Sequence, residues 1–205
     1  MELTQRIPQY GVNNLINTPL WNLIQQKLNS DNLQWEDGKA FSTDEGRKKG
    51  VNYPTKVRKS KIAWLSDKYL REQLFYSIDF YNKHNWNYDL DGCGDIQYGI
   101  YSDGGYYDWH IDEELETPNI NGRYLMRKLS TTIWLNDPDE YEGGEFDIEV
   151  DGPNMDRRYD TFKLQKGSIV IFPSRMWHRV RPVTSGVRKS LVTWFRGTPF
   201  RRLTK

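Results

Sequence analysis

His110, Asp112, His178 and Arg188 are the residues whose types and spacing best suit chemistry in this sequence. His110-Ile111-Asp112 closes the stretch Gln97 to Asp112, which is dense in tyrosine and glycine. On an extended strand, side chains repeat every second residue, so His110 and Asp112 project from one face. A neutral imidazole beside a carboxylate offers two positions on a divalent metal. A third ligand must then come from elsewhere in the chain. The sequence has three histidines, and His84 falls at a polar helix end, Asn82-Lys83-His84-Asn85. That leaves His178, in Phe172-Pro173-Ser174-Arg175-Met176-Trp177-His178-Arg179-Val180. If its strand runs beside the strand of His110, the three complete a set of two histidines and one carboxylate. Such a set leaves one face of the metal open and suits non-haem Fe(II). Alone, His178 would read as a satisfied strand-end histidine.

Arg188-Lys189-Ser190 lies beyond His178 and changes that balance. Period two puts Arg188 and Ser190 on one face, in register with Trp194. A guanidinium is a planar fork matched to a carboxylate, and a serine hydroxyl adds a bond to the same anion. A metal set and a carboxylate clamp together suit a 2-oxo dicarboxylic acid held at both ends.

The elements that must position these residues come in two groups. Thr18-Pro19 starts a helix that carries Trp21, Ile24 and Leu28 and ends at Asn29-Ser30. Lys59 to Leu65 alternates as a strand. Ser66 is expected to cap a helix from about Asp67 to Tyr81 or beyond, with Leu70, Leu74, Ile78 and Tyr81 as its apolar stripe. Between these, Glu36 to Pro54 is polar and glycine-containing and reads as a long loop, either a lid or a disordered excursion.

After Asn87, short aromatic and β-branched runs alternate with turns. They are Ile96–Tyr101, Tyr106–Ile111, Leu129–Leu135, Glu145–Val150, Tyr159–Leu164, Ser168–Phe172, Trp177–Val180 and Lys189–Phe195. Ser185-Gly186 is read as the turn before the last of them. This spacing predicts a mainly β chain with N-terminal helices: a double-stranded β-helix (jelly roll) braced by helices. Residues 1–90 are expected to form a support region and residues 91–200 the core, together one compact domain.

Composition narrows the function classes. Lys+Arg 29 against Asp+Glu 28 gives a net charge of +1, so there is no basic footprint for nucleic acid. Cys93 is the only cysteine, which excludes an intrachain disulfide and fits a reducing cytoplasm. Met1-Glu2-Leu3-Thr4-Gln5 has no apolar run of the secretory kind, and no apolar run reaches the roughly 18 residues of a membrane span.

Several motifs occur in a fixed order. Tyr101-x-x-Gly104-x-x-Tyr107-x-x-His110-x-Asp112 comes first. Leu129-Ser130 to Leu135-Asn136-Asp137-Pro138 and Tyr141-Glu142-Gly143-Gly144-Glu145-Phe146 follow. Gly167 to Ser174, His178-Arg179-Val180-x-Pro182-Val183 and Arg188-x-Ser190-Leu191-Val192-x-Trp194 complete the set. Over roughly Ile96 to Gly197 the chain resembles the prolyl 4-hydroxylase branch of the 2-oxoglutarate/Fe(II) oxygenases, including bacterial PKHD-type hydroxylases. More weakly, Trp35 to Lys39 and Lys56 to Leu65 are similar to N-terminal stretches of relatives.

The resemblance implies Fe(II) on His110, Asp112 and His178, and 2-oxoglutarate on Arg188 and Ser190. Tyr101 matches a tyrosine that contacts the cosubstrate. Trp134 stands where some relatives carry another such tyrosine, so a hydroxyl is lost and an indole N–H is gained. Tyr107, Arg127 and Trp194 are implied near the substrate. The implied reaction consumes O2 and 2-oxoglutarate, gives succinate and CO2, and hydroxylates an unactivated C–H. The expected substrate is a prolyl residue of a peptide or protein, and ascorbate is an associated cofactor of the branch. Two other readings stay open: an oxygenase for a free amino acid, nucleobase or other small molecule, and a non-catalytic cupin-like module that has kept a metal. Arg188 weighs against the second, since a binding module needs no clamp.

Overall fold

The run Ser168-Ile169-Val170-Ile171-Phe172-Pro173 is apolar at both parities, and both of its faces are buried in the computed structural model of the chain. Ile169 and Ile171 pack into one core, whereas Val170 and Phe172 pack into another. That is the pattern of a strand in a central layer, covered on both sides. The structure describes residues 9–30, 32–38, 57–115, 122–152 and 155–200.

The elements in order are β1 (Gly11–Asn14), α1 (Pro19–Ser30), β2 (Glu36–Asp37), β3 (Arg58–Lys59), β4 (Lys61–Leu65) and α2 (Lys68–Asn85). Next come β5 (Gly92–Ser102), β6 (Tyr106–His110), β7 (Met126–Trp134), a 3-10 turn (Pro138–Glu140), β8 (Tyr141–Gly143) and β9 (Phe146–Glu149). The chain continues with β10 (Tyr159–Phe162), β11 (Ser168–Pro173), β12 (His178–Val180) and β13 (Val183–Gly197). Among the described residues they form two antiparallel sheets. The larger runs β1-β11-β7-β13-β5-β4-β2, with β8 also on β13, and the smaller runs β10-β9-β12-β6-β3. This is the expected jelly roll. Trp21 and Ile24 of α1 and Leu70, Leu74 and Ile78 of α2 pack on the outer face of the larger sheet, against Ile96, Ile133, Leu191 and Phe195. Tyr101, Trp134, Phe146, Phe172 and Val180 fill the space between the sheets. Among the described residues, no helix is long and apolar enough to cross a membrane.

The helix starts follow from their caps. The Thr18 hydroxyl accepts the Trp21 N–H at 3.1 Å, as the Thr18-Pro19 pair predicts. At α2 the cap is Asp67 rather than Ser66. Its carboxylate accepts the Leu70 N–H at 2.7 Å and pairs with Lys27 of α1 at 2.6 Å. Lys27 selects between two adjacent capping residues, because only the carboxylate can also form an ion pair. Lys27, then the Leu70 N–H, hold the Asp67 carboxyl below its ordinary range. Its contribution is therefore present above the unfolded-state value and is lost as pH falls through the lowered one. Asp67→Ala should lower stability by about 1 kcal/mol in denaturant melts at neutral pH, and the gap to wild type should narrow in acid.

Other elements also depart from expectation. β1 pairs with β11 and β8 with β13, although neither short polar segment reads as a strand. Ser185-Gly186 is no inter-strand turn: it lies inside β13, as an irregularity between Val183 and Ser185 with Gly186 at φ 73°. A Cβ on Gly186 would meet the Glu140 carbonyl oxygen at 2.3 Å, so β13 can pass this point only as glycine. Glu36-Asp37 is not loop but β2, paired with Ile62 and Lys61. The remainder of the expected loop, residues 39–54, lies outside the described residues.

Candidate active site

β6 and β12 are antiparallel neighbours, and His110 stands directly opposite His178. The sheet itself therefore brings the two imidazoles together, with ring centres 4.1 Å apart. β6 ends at His110, so Asp112 lies just past the strand rather than within it. Its place is held by other means: the Asp112 and Glu113 N–H groups both donate to the Ser174 carbonyl oxygen at 2.9 Å. The Asp112 Oδ2 is then 3.3 Å from His178 Nε2, and Oδ1 is 3.7 Å from His110 Nε2. The three ligand atoms lie within 4.8 Å of one another. Ligands on adjacent positions about 2.1 Å from a shared ion lie about 3 Å apart, so the two carboxylate–imidazole separations need only a small contraction.

The imidazoles are oriented for this task. His110 Nδ1 is 2.8 Å from the Asp108 carbonyl oxygen, and His178 Nδ1 is 2.9 Å from that of Met176. A carbonyl can only accept, so each Nδ1 carries the proton and each Nε2 keeps its lone pair. Burial, then the adjacent His178, pull the His110 imidazole down to about 3, so it is neutral at physiological pH, as a metal ligand must be. Burial alone would raise the Asp112 carboxyl, but His178, His110 and a hydrogen bond from Ser130 together hold it well below the carboxylate range. The donor set is thus one carboxylate and two imidazole nitrogens, which fits a first-row divalent ion with open positions.

The opposite wall comes from the larger sheet. Arg188, Ser190, Val192 and Trp194 of β13 face inward, together with Gln97 and Tyr101 of β5, and all line one cavity of about 1000 Å³ with the triad. Arg188 sits across from Tyr101 in the sheet, and Ser190 across from Trp134. Arg188 is 1% exposed, and its Nη1 donates to Ser190 Oγ at 3.0 Å. Its Nε and Nη2 are buried with no partner. The guanidinium is 5.4 Å from the ring centres of both Tyr101 and Trp134. Burial pulls it below the ordinary guanidinium range. Two buried guanidinium N–H groups without an acceptor are costly. A carboxylate entering the cavity would satisfy both, so this wall fits the distal end of a dicarboxylate.

The remaining expected residues fall into place unequally. Tyr107 lies flat on His110, with ring centres 3.5 Å apart. Trp194 is flanked by the Arg127 guanidinium at 4.5 Å and by Trp64 at 6.2 Å, and Arg127 pairs with Glu114 at 3.2 Å. All of these line the cavity, whereas Trp134 does not: it backs Arg188 from behind. Two participants were not visible in the sequence. Arg58 reaches the site because β3 pairs with β6, and its guanidinium lies 4.6 Å over Tyr107 while Nη2 donates to Gln97 at 2.8 Å. Ser130 bonds Ser174 at 2.9 Å and so joins the two elements around Asp112. No spacing rule signals either residue, since both act through strand pairing.

The sequence model of the 2OG-Fe(II) oxygenase superfamily matches residues 96–196. A PKHD-type hydroxylase of Colwellia psychrerythraea is 43% identical over 91 residues, 44% of this chain but 37% of that protein. The chain thus spans well under half of that relative. One from Synechococcus sp. (strain CC9605) is 31% identical over 176 residues, 83% of this chain and 70% of its own length. Among solved structures, a Pseudomonas putida prolyl-4-hydroxylase aligns with a TM-score of 0.53 at 18% identity, covering 86% of this chain and 98% of its own. A Trichoplax adhaerens prolyl hydroxylase, solved with a hypoxia-inducible-factor peptide fragment, aligns with a TM-score of 0.57 at 22% identity, covering 91% and 83%. At these identities the structures establish the fold.

Proposed function

The chain belongs to the 2OG-Fe(II) oxygenase superfamily, where it stands with the PKHD-type hydroxylases, and on that premise we propose that it hydroxylates an unactivated C–H of a peptide or protein, with a prolyl residue as the leading target. One observation carries the reading: a metal-competent triad and an unmet buried guanidinium face one cavity from opposite sheets. Neither feature alone requires a 2-oxo dicarboxylate, and together they match its two ends.

In this reading His110, Asp112 and His178 hold Fe(II), and Arg188 with Ser190 receives the distal carboxylate of 2-oxoglutarate. With O2, the bound iron and cosubstrate would supply oxidative decarboxylation to succinate and CO2, coupled to hydroxylation. The chain's own contribution is position and shelter. Asp108 and Met176 carbonyls fix the two imidazole tautomers. The Tyr107 ring stacks on His110, the Arg58 guanidinium lies over Tyr107, and together they keep water from that side. Tyr101, 3% exposed, stands beside Arg188 on the cosubstrate wall.

The cavity is larger than one small dicarboxylate needs, which supports a second, larger occupant. Trp64, Trp177 and Ile111 line it and are still exposed, so an apolar rim meets solvent at its mouth. A pyrrolidine ring is saturated and apolar and packs well on indole faces. Arg127 and Glu114 add a charged pair at the same wall, suited to polar backbone groups.

The test is mass spectrometry of a peptide and proteome panel incubated with the protein, Fe(II) and 2-oxoglutarate. The expected product carries one added oxygen on proline, only when both additions are present. An oxygen gained on another residue type would replace the prolyl assignment. No gain and no succinate across the panel would return the chain to the binding-module reading.

A further inference from the structure

Both helices pack on the larger sheet, and among the described residues neither covers the smaller one. The inner face of the smaller sheet is apolar: Phe146, Ile148, Phe162 and Val180 point between the sheets. Period two turns their neighbours outward. That outward face carries Trp109 on β6, Arg179 on β12, Asp147 and Glu149 on β9, and Tyr159 and Thr161 on β10.

Charge on this face does not cancel. Asp147 takes two arginines on one oxygen: Arg179 Nε donates to Oδ2 at 2.7 Å and Arg181 Nε at 2.8 Å. The Thr161 hydroxyl donates to its other oxygen at 2.8 Å. Glu149 accepts from Arg158 Nε at 2.8 Å. Three guanidiniums thus stand over two carboxylates. The carboxylates are also the deeper groups: the Asp147 side chain is 0% exposed, whereas those of Arg179, Arg181 and Arg158 are 27%, 33% and 44% exposed. Arg158 and Arg179 bond through Nε alone, so their Nη1–Nη2 forks meet no acceptor among the described residues. Such a fork is matched to a carboxylate. Both forks are also held in place. The Arg179 guanidinium lies 4.6 Å from the Trp109 ring and 5.5 Å from that of Tyr159, and Arg158 lies 5.6 Å from Trp109. A guanidinium already fixed against aromatic rings gives up little freedom on binding.

This face is continuous with the mouth of the cavity. Trp109 and Trp177 both line that mouth, and they directly precede His110 and His178 in the chain. The Trp177 carbonyl oxygen accepts the Glu149 N–H at 2.8 Å, which ties the rim to β9. A peptide leaving the cavity over these two indoles therefore comes directly onto the guanidiniums.

We propose that the outer face of the smaller sheet docks an acidic stretch of the peptide or protein substrate, outside the part that enters the cavity. The inference rests on the hydroxylase reading and deepens it, by making the substrate a chain with Asp or Glu near its target residue. One sheet thickness plus two strand spacings is a path of roughly 20 Å, which places the acids about six extended residues from the target.

The experiment follows two labelled peptides by fluorescence anisotropy on the protein loaded with Mn(II) and 2-oxoglutarate. Each peptide has one proline, with a block of four residues placed six positions away on either side. The blocks are glutamate in one peptide and glutamine in the other. The expected result is at least about tenfold tighter binding of the glutamate peptide. Arg158→Gln/Arg179→Gln should lose that preference and keep its Mn(II) affinity. Arg181 stays in this variant, so buried Asp147 keeps a partner. Equal affinity for the two peptides, or a preference that survives in the double variant, overturns the docking face and leaves the hydroxylase reading standing. Tighter binding of a ten-residue oligothymidylate than of the glutamate peptide makes the occupant a nucleic acid and overturns the proposal too. No oxygen gain across the peptide and proteome panel overturns the hydroxylase reading and this proposal with it. Should the double variant not fold, the wild-type protein carries the test. Its Arg179 Nε–H resonance should move with the glutamate peptide and stay fixed with the glutamine peptide; an identical response to the two overturns the contact.

Discussion

Asp112→Ala is expected to abolish Fe(II)-dependent succinate formation and to weaken metal binding by at least ~100-fold. Asp112 is the only carboxylate of the triad, and it lies between the two imidazoles. Without it only imidazole nitrogens remain, which give a divalent cation no compensating charge. Asp112→Asn is the sharper variant. It keeps the size and the capacity to bond Ser130 while removing the charge, so its metal affinity reports the charge and not the packing. Titration of the purified variants with Fe(II) under anaerobic conditions, beside thermal melts of the metal-free proteins, checks both. Retained metal-dependent turnover in Asp112→Ala would remove the triad assignment.

Arg188→Met is expected to act with opposite signs on binding and on stability. Methionine is apolar and long enough to occupy much of the same space. The variant should lose about 3 kcal/mol of 2-oxoglutarate binding, roughly a hundredfold in affinity, because a buried charge partner of the carboxylate is gone. The metal-free, ligand-free protein should be as stable as wild type or more so. In that state Arg188 is a buried cation with Nε and Nη2 unmet, and exchanging such a group for a well-packed apolar one is often neutral or stabilising. Unchanged 2-oxoglutarate affinity would show that Arg188 is not the clamp. A strongly destabilised ligand-free variant would show that the guanidinium is already satisfied there. Between them the two measurements read the arginine as a group whose cost in the fold is offset only when its ligand is bound.

What could be read from the sequence, and what could not, divides by the range of the interaction. The inward row Arg188, Ser190 and Trp194 was legible because period two is a property of one strand. His178 was legible because few histidines compete for the role. The helices were legible from local caps and stripes, and even there Asp67 displaced Ser66 because of Lys27, a residue of another helix. β1 was not legible: Gly11-Val12-Asn13-Asn14 has little strand character and becomes a strand by pairing with β11. Ser185-Gly186 looked like a turn because glycine with positive φ serves both turns and strand irregularities. Arg58 and Ser130 reach the site only through strand pairing and a contact between separate elements, which no window of sequence contains.

The two halves of the cavity belong to different sheets. The imidazoles sit on β6 and β12 of the smaller sheet, the guanidinium on β13 of the larger one. A molecule held at both ends therefore acts as a tie-bar across the sandwich. Cofactor loading should then behave as a mechanical event as well as a chemical one: amide exchange should slow in both sheets together, and the pair should separate less readily. Mass action sets the scale, at about 2.7 kcal/mol of added stability when the ligand stands at a hundred times its dissociation constant. In this architecture the supply of a central metabolite would govern how long the folded enzyme survives, not only how fast it turns over.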